Sequence, residues 1–330
     1  MNLIDVTKKF ATPEACNDFI ESMRWPEGVT CLACESKKVT KYQKQMGTRK
    51  RLNPATGERE LKPVPPRILY VCIECGFQFS AITGTIFHDT HLDLEKWFMA
   101  VALMVNAKKG LSALQLKRDL KVAYKTAWYL NHRIRKAMGS EPLTGTVEVD
   151  ETYIGGKYDE RRKRARWDKE PVFGMVERGG KAKTCHIPKI NRKAVVAKIT
   201  DTISIDADLV CTDDSNIYDK MPENVKKHES VNHSAKEWVR GDVHTGTIDG
   251  YWGLLKRGII GSLHQVSIKH LHRYLSEFQF RWNNREAQDI FMLVIAALVI
   301  GSAMPYKTLI EPLAGETGTG PEVELDGEPF

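Results

Sequence analysis

The stretch VEVDETYIGG, residues 147–156, decides the fold of this chain. Apolar and acidic residues alternate in it, and a period of two is typical of a β-strand with one buried face. The strand carries Asp150 near its end, before two glycines. Short apolar strands are predicted at 172–176 and 185–187, followed by a helix over 193–200. This order predicts a mixed α/β fold in which helices cover a sheet.

Two further acidic motifs follow along the chain. DLVCTDDSNIY, residues 208–218, predicts a strand that delivers Asp213 to its C-terminal end. VHTGTIDGYWGLLKRGI, residues 243–259, predicts a helix with Asp249 in its first turn. Lys256 follows two helical turns later, which places it on the same face of the helix as Asp249. We therefore expect carboxylates to converge from neighbouring strand ends and one helix.

A cluster of carboxylates of this kind predicts a site for divalent cations. Without cations the carboxylates would repel one another, and oxygen ligands favour Mg²⁺ or Mn²⁺. Two such ions about 4 Å apart can activate an attacking hydroxyl and stabilise a leaving oxygen at phosphorus. The predicted ligands are Asp150, Asp213 and Asp249. The alternative is that these are three of the chain's 42 acidic residues and lie on a solvated surface.

Two C-x2-C pairs near the N-terminus predict a metal site of another kind. The pairs are Cys31 with Cys34 and Cys72 with Cys75. Four thiolates satisfy tetrahedral Zn²⁺ and leave no open position, so this one zinc ion would be structural. The segment between the pairs contains NPATG inside a basic stretch, which indicates an extended hairpin. Two disulfides are the alternative, and a reducing compartment disfavours them.

A pair of helices with a basic face is predicted at LSALQLKRDLKVAYKTAWYLNHRIRKAM, residues 111–138. Ser112 can cap a short helix, and a turn then leads to a second helix over about 123–137. Two short helices joined by a tight turn are typical of a helix-turn-helix. The second helix supplies the predicted DNA contacts, which are Lys125, Arg133, Arg135 and Lys136. The alternative is an ordinary helical pair with a solvated basic face.

A second basic segment, KYDERRKRARWDK, follows the strand that carries Asp150. We expect it to lie along the DNA backbone, since phosphate contacts dominate affinity for DNA. The predicted contacts are Arg161, Arg162, Lys163, Arg164 and Arg166. The alternative is a charged hairpin in solvent.

Composition narrows the class of protein. The chain has 330 residues, and 49 Lys and Arg against 42 Asp and Glu give a net charge of +7. This composition excludes a wholly disordered or fibrous chain and is a weak sign of a polyanionic partner. The N-terminus lacks the pattern of a secretory signal. The longest apolar run, residues 290–300, is too short for a bilayer span of about 20 residues and predicts a buried helix. We expect a cytoplasmic protein without membrane association.

The motifs quoted above resemble those of a known family, the ISXO-like insertion-sequence transposases. VEVDETYIGGK, CTDD and the segment from VHTGTIDGYW to RWNNR carry the resemblance, and CLAC…CIECGFQFSAITGTIFHDT is similar to the family's zinc ribbon. The resemblance covers about residues 15–300. It implies a DDE-type catalytic domain with a ribonuclease H-like fold. The expected domains are a zinc ribbon at 1–85, a helix-turn-helix segment at 86–140, the catalytic domain with C-terminal helices at 145–303, and an acidic disordered tail at 311–330.

The resemblance also implies a mechanism and a set of roles. Asp150 would bridge two metal ions, Asp213 and Asp249 would each hold one, and Lys256 would contact DNA phosphate. The enzyme would cleave DNA at terminal inverted repeats and join the freed 3′-hydroxyls to target DNA. A homo-oligomer is expected when two DNA ends are paired. The protein would then be associated with the nucleoid.

One departure from the family pattern bears on activity. Asp249 and Gly246 stand where the family usually has Glu and often has Asn. Asp is one methylene shorter, so its reach falls by about 1.5 Å. This departure favours an alternative, an inactive descendant that binds DNA as a regulator. A metal-dependent nuclease and a zinc-ribbon scaffold protein are further alternatives, and inverted repeats flanking the reading frame would favour the transposase over them.

Overall fold

We describe the protein from a computed structural model. The structure describes residues 1–45, 47–52, 58–63, 67–138, 142–155 and 169–311. Two predictions fall outside these ranges. They are the basic segment from Arg161 to Arg166 and the disordered tail, of which only residue 311 is described.

The N-terminal region begins with two helices, α1 (Leu3–Lys9) and α2 (Pro13–Arg24). They lie where only cysteine pairs and a hairpin are predicted, so both are additions to the predicted fold. Each begins at a polar side chain that satisfies a free amide of the first turn. The Asn2 side chain accepts from the Asp5 amide, and the Thr12 hydroxyl accepts from the Ala15 amide.

Five short strands follow: β1 (Val39–Lys44), β2 (Thr48–Leu52), β3 (Arg59–Pro63), β4 (Arg67–Cys72) and β5 (Gln78–Phe79). β1, β4 and β5 form an antiparallel sheet. β2 and β3 pair separately as an antiparallel ribbon. This ribbon confirms the hairpin predicted in the basic stretch, while its tip at 53–57 lies outside the described residues.

Three helices connect this region to the rest of the chain: α3 (Leu94–Asn106), α4 (Ala113–Leu120) and α5 (Tyr124–Lys136). The Ser112 hydroxyl caps α4 by accepting from the Gln115 amide, and Lys121 ends that helix with a φ of 51°. The predicted pair of helices and its tight turn are therefore present. Their use as a helix-turn-helix stays a prediction.

A five-stranded sheet forms the second half of the chain. Its strands are β6 (Thr146–Ile154), β7 (Glu170–Glu177), β8 (Ala182–His186), β9 (Leu209–Asp213) and β10 (His228–Val231). Their order across the sheet is β10-β9-β6-β7-β8. β6, β7 and β8 are antiparallel neighbours, whereas β9 and β10 run parallel to β6. The predicted mixed α/β architecture is confirmed.

Five further helices lie in the described part of the chain, and some pack on this sheet while others pack elsewhere. They are α6 (Arg192–Thr202), α7 (Gly246–Gly258), α8 (Ile268–Asn283), α9 (Ile290–Ile300) and α10 (Tyr306–Ile310). A 3-10 turn spans Asn216–Tyr218, and a turn of π-helix spans Ile259–Leu263 after α7. Among the described residues, no helix is long and apolar enough to cross a membrane.

The alternation in β6 separates the two faces of the sheet. Val147 and Val149 lie in the apolar core beneath α6. The side chains between them point the other way, because successive residues of a strand alternate in direction. Glu148 and Asp150 both bond to α7 on that opposite face. Glu148 and Asp150 therefore lie under α7, whereas Val147 and Val149 lie under α6.

Helix α9 packs away from the five-stranded sheet. Its buried residues, including Phe291 and Leu298, belong to the apolar core of the N-terminal region together with Phe98 of α3. The Ile86 amide also donates to the Leu298 carbonyl, at 3.1 Å. The run 290–300 is thus a helix with a buried side, as predicted, but it completes the N-terminal core and not the core of the domain predicted at 145–303.

A buried ionic cluster joins α5 to α8. Glu277 is fully buried and lies 2.5 Å from Arg135 and 2.5 Å from Arg281. Burial alone would raise the pKa of Glu277, but the two guanidinium groups outweigh it and hold that pKa below its ordinary value. A buried carboxylate of this kind depends on its partners. The cluster therefore fixes the helical segment against the sheet domain.

Candidate active site and zinc site

Asp150 lies at the centre of the candidate active site. In β6 it opposes Gly174 of β7, and its Oδ2 accepts a 2.8 Å hydrogen bond from the Trp252 indole of α7. In the parallel ladder to β9, Glu148 pairs with Cys211. Two residues further along both strands, Asp150 comes level with Asp213. Asp213 ends β9, but Asp150 lies in the middle of the longer β6 and not near its end as predicted, because β6 continues to Ile154 in its pairing with β7.

The pKa of Asp150 is set by burial and by the charges around it. Burial raises its pKa, and the charges of Glu151 and Asp213 raise it further. The Trp252 hydrogen bond opposes them, and the net pKa is about 7. A bound cation reverses this balance by stabilising the carboxylate form. The available ligand atoms are carboxylate oxygens whose negative charges repel one another. Such oxygen ligands fit Mg²⁺ or Mn²⁺.

Glu151 and Asp213 are held by the segment that follows β9. The Tyr218 hydroxyl donates to Glu151 Oε2 at 2.6 Å, and the Ser215 amide donates to Asp213 Oδ1 at 3.1 Å. Burial raises the pKa of Glu151, and the charge of Asp213 adds to it. Glu151 is thus tied to the 3-10 turn and does not point freely into solvent. The segment 215–218 therefore links Glu151 of β6 to Asp213 of β9.

Asp249 and Lys256 lie on the exposed side of α7. Burial is the largest cause of the raised pKa of Asp249. Nearby charges act in both directions, since His233 and Lys256 lower this pKa and Glu148 raises it. Lys256 also lines a cavity of about 570 Å³ with Tyr153. Lys256 thus faces the space beyond the C-terminal end of β6.

The three aspartates do not form a tight cluster. Within the ranges that the structure describes, the four N-terminal cysteines are the one group of three or more His, Cys, Asp or Glu whose donor atoms lie within 4.8 Å of one another. At least two of Asp150, Asp213 and Asp249 therefore have their carboxylate oxygens further apart than such a cluster allows. The role of Asp249 as the third ligand stays a prediction.

The cysteine cluster has the geometry of a zinc site. Cys31 Sγ lies 3.6 Å from Cys75 Sγ, and Cys34 Sγ lies 3.5 Å from Cys72 Sγ. Tetrahedral zinc with Zn–S bonds of about 2.3 Å needs sulfur atoms about 3.8 Å apart. A disulfide needs about 2.05 Å, and all four cysteines are free thiols. The arrangement fits a structural Zn²⁺, as predicted, and disfavours the two disulfides.

Two similar turns build this site. The Glu35 amide donates to the Cys31 carbonyl, and the Gly76 amide donates to the Cys72 carbonyl, each at 3.0 Å. Glu35 and Gly76 both have positive φ, at 60° and 71°. Each turn buries its first cysteine and exposes its second. The C-x2-C spacing therefore folds into two matching knuckles that face each other.

Two predicted DNA contacts are buried, which corrects part of the sequence-based set. Arg133 stacks over Trp97 and donates to the His88 carbonyl at 2.8 Å. Arg135 is 2% exposed and pairs with Glu277. Both guanidinium groups are used inside the protein, so neither is available to DNA in this arrangement. Periodicity cannot separate a basic residue at a helix–helix interface from one on a solvated face.

The other predicted contacts on α5 are accessible. Lys125 is exposed in the first turn of the helix. Lys136 is exposed as well, and its Nζ donates to the carbonyls of Ser302 and Ala303 at 3.1 Å each. Of the contacts predicted on α5, Lys125 and Lys136 thus remain accessible, and their contact with DNA stays a prediction. The predicted contacts from Arg161 to Arg166 lie outside the described residues.

The sequence reading missed Glu148. Its side chain is fully buried, yet its carboxylate accepts from the amides of Thr247 and Ile248 at the start of α7, at 2.7 and 3.0 Å. Arg178 Nε donates to it at 2.6 Å. One signal was present in the sequence. Glu148 is an acid at an alternating strand position two residues before Asp150, so the two acids share a face.

Gly174 allows α7 to approach the sheet. An added Cβ at this residue would lie 2.5 Å from Trp252 Cζ2, the ring that bonds to Asp150. Gly174→Ala should therefore destabilise the fold by about 1–3 kcal/mol, as overpacking does. Chemical denaturation measures the change. Gly250→Ala is the matched control, since nothing lies within 4 Å of its added Cβ, and its unfolding should shift little or to higher stability. Equal unfolding curves for the two variants would refute close packing at Gly174.

Comparisons with known proteins agree with this architecture. Residues 142–283 match the model of the ISXO2-like transposase domain. Residues 11–78 match the model of the transposase zinc-ribbon domain. A relative from Halobacterium salinarum, described as an uncharacterized protein in transposable element ISH50, is 27% identical over 293 residues, which cover 83% of this chain and 92% of the relative. The resemblance predicted from the motifs is thereby confirmed: the chain is similar to a transposase zinc ribbon over residues 11–78 and to an ISXO2-like transposase domain over residues 142–283.

Proposed function

We propose that the chain is the DNA transposase of an insertion sequence, which binds terminal inverted repeats and catalyses metal-dependent DNA cleavage and strand transfer. The observation that carries this proposal is the placement of Asp150, which faces α7 and comes level with Asp213 on the neighbouring parallel strand. Neighbouring carboxylates in a buried site attract a divalent cation because it offsets their mutual repulsion, and this repulsion together with burial raises the pKa of Asp150 to about 7. The order β8-β7-β6-β9-β10, antiparallel and then parallel, supports a ribonuclease H-like core.

The reaction would proceed in two displacements at phosphorus. Water attacks the phosphodiester at the element's end, and the bond from phosphorus to the 3′-oxygen breaks to leave a 3′-hydroxyl. That hydroxyl then attacks a target phosphodiester in line, and the corresponding bond of the target breaks. Two Mg²⁺ or Mn²⁺ ions, when bound, would activate the attacking oxygen and stabilise the leaving one.

The residues of the chain divide this work. When metal is bound, Asp150 of β6 would serve both ions, while Asp213 at the end of β9 and Asp249 of α7 would each hold one. Lys256 of α7 would contact DNA phosphate. The zinc ribbon and the α4–α5 pair bind the DNA ends. Pairing of two ends would require a homo-oligomer, acting in the cytoplasm on nucleoid DNA.

An inactive, DNA-binding regulator is the second candidate, and the position of Asp249 favours it. This acid is shorter than the expected Glu, and the three aspartates together do not form a tight cluster. Glu237, a spare acid nearby, accepts from the Asn232 amide at 3.2 Å within its own loop. A metal-dependent nuclease that cleaves DNA without joining it is the remaining alternative.

A strand-transfer assay with Asp249 variants tests the proposal. The donor is the DNA flanking the gene, with Mg²⁺ or Mn²⁺. We expect joining by the wild type, a loss of about 100-fold or more in Asp249→Ala, and retained or higher joining in Asp249→Glu. Glu237→Ala is the matched control and should keep activity. Joining that survives in Asp249→Ala but not in Glu237→Ala would reassign the third ligand. DNA binding without cleavage by the wild type would favour the regulator.

A further inference from the structure

We propose that Glu148 is a positioning residue that fixes helix α7, and with it Asp249, against the strand that carries Asp150. This role deepens the proposed transposase function and depends on it for its catalytic meaning. Glu148 is fully buried, so it does not contact DNA. It acts through the helix that it holds.

The contacts of Glu148 replace a missing cap. A helix begins with amide groups that have no partner inside the helix, and the N-cap residue of α7, Thr245, makes no side-chain cap bond. Glu148 Oε2 instead accepts from the amides of Thr247 and Ile248. The Thr247 hydroxyl donates to Oε1 at 2.9 Å. The charge of the carboxylate also complements the positive end of the helix dipole.

The segment before α7 is tied to the same carboxylate. Arg178 donates to Glu148 through Nε, and it donates to the carbonyls of Asp242 and His244 at 2.6 and 3.0 Å. His244 Nδ1 lies 3.2 Å from Glu148 Oε1. A buried carboxylate requires such partners. Glu148 and Arg178 therefore hold both the loop that enters α7 and the first turn of the helix.

Glu148 lies on β6, the strand that also carries the predicted metal ligand Asp150. Glu148 and Asp150 point to the same face of β6, about 6.8 Å apart along the strand. Asp249 follows Ile248, whose amide Glu148 holds. Any shift of the start of α7 thus changes the separation of Asp249 from Asp150. Asp249 has a shorter side chain than Glu would have, so it tolerates a smaller shift of α7 before its carboxylate can no longer reach a metal ion.

Glu148→Gln tests the anchor with two readouts. The amide side chain keeps one acceptor oxygen, so its NH2 group faces a donor in either orientation, the α7 amides or Arg178 Nε, and Arg178 loses its charge partner. Hydrogen exchange of the peptide 243–252 should become faster, while exchange across β7 and β8 stays the same. In the strand-transfer assay, kcat should fall about 100-fold, as for a misplaced reacting group, with DNA affinity unchanged. Glu148→Asp, which keeps the charge, should recover part of both readouts.

Two further variants keep the test decisive. Glu177→Gln is the matched control, because that β7 carboxylate bonds to Thr144 at 2.8 Å and not to α7; it should leave both readouts unchanged. If Glu148→Gln fails to fold, Thr247→Val decides, since it removes one donor to Glu148 and should speed exchange at the start of α7.

The outcomes separate this proposal from the proposed function. Unchanged exchange at 243–252 would overturn the positioning role, and so would unchanged kcat in Glu148→Gln when the wild type is active. An inactive wild type would refute the transposase proposal. In that case the exchange readout alone would still decide whether Glu148 fixes α7.

Discussion

Asp150→Asn should abolish metal-dependent strand transfer, with a loss of about 1,000-fold or more, and leave the fold intact. A ligand shared by two ions contributes several kcal/mol to the transition state, and each 1.36 kcal/mol is about tenfold in rate. Asn matches the shape of Asp and can still accept the hydrogen bond from Trp252. The change therefore removes charge at the metal site without removing packing. Joining of labelled donor DNA measures the rate.

The same variant has a distinct effect on stability. The pKa of Asp150 is raised from 3.8 to about 7 in the fold. A raised pKa means that the folded state holds this proton more tightly, so its contribution to stability is lost as pH rises from about 4 to about 7. Metal-free Asp150→Asn should thus gain stability relative to the wild type across that range. Thermal unfolding at several pH values measures the difference.

Metal ions should also affect the thermal stability of the wild type and of Asp150→Asn differently. Mg²⁺ or Mn²⁺ should raise the unfolding temperature of the wild type at pH 8, because a ligand that binds the folded state stabilises it. The same ions should not stabilise Asp150→Asn. Asp206→Asn is the matched control, since Asp206 is exposed in the turn before β9, and it should behave as the wild type. Undiminished joining by Asp150→Asn would refute the assignment of Asp150.

The elements that the sequence predicted well are those whose signal is local. Alternation in VEVDETYI predicts both the strand β6 and the division of its faces, because a strand has a period of two residues. Ser112 predicts the start of α4 because an N-cap needs only its own first turn. The C-x2-C pairs predict the zinc cluster because each pair forms its own knuckle. In each case a few neighbouring residues contain the whole physical reason.

The features that the sequence did not reveal depend on partners far along the chain. Glu148 holds amides about 100 positions later, and Arg135 meets Glu277 across two helices. A pattern of charges predicts the helix but not which of its cations become buried. Likewise, α9 is recognisably apolar, yet only the folded chain places it in the N-terminal core. The positions of Asp213 and Asp249 relative to Asp150 are of this long-range kind.

Cys72→Ser should remove the bound zinc and unfold the N-terminal ribbon. Structural zinc contributes about 10–16 kcal/mol of apparent binding free energy in zinc-finger peptides at neutral pH, and such small domains depend on it for folding. Cys72 is fully buried at the end of β4, close to the apolar core that includes Tyr70 and Phe79. The hydroxyl of Ser is a poor zinc ligand, and the remaining three thiolates leave an incomplete site. We expect one zinc ion per wild-type chain and none in the variant, measured by elemental analysis of the purified protein.

Loss of this zinc should also show which part of the chain reads the DNA ends. If the ribbon binds the terminal repeats, Cys72→Ser should weaken binding to flanking DNA while the five-stranded sheet remains folded. The sheet domain has its own apolar cores on both faces, so its hydrogen-exchange protection should persist. Cys185→Ser is the matched control, because Cys185 lies in β8 and outside the cysteine cluster; it should keep both zinc and DNA binding. Full zinc content in Cys72→Ser would refute the four-cysteine site. Full DNA binding without zinc would assign recognition of the ends to the α4–α5 pair, because that pair lies outside the zinc knuckles and has Lys125 exposed at the start of its second helix.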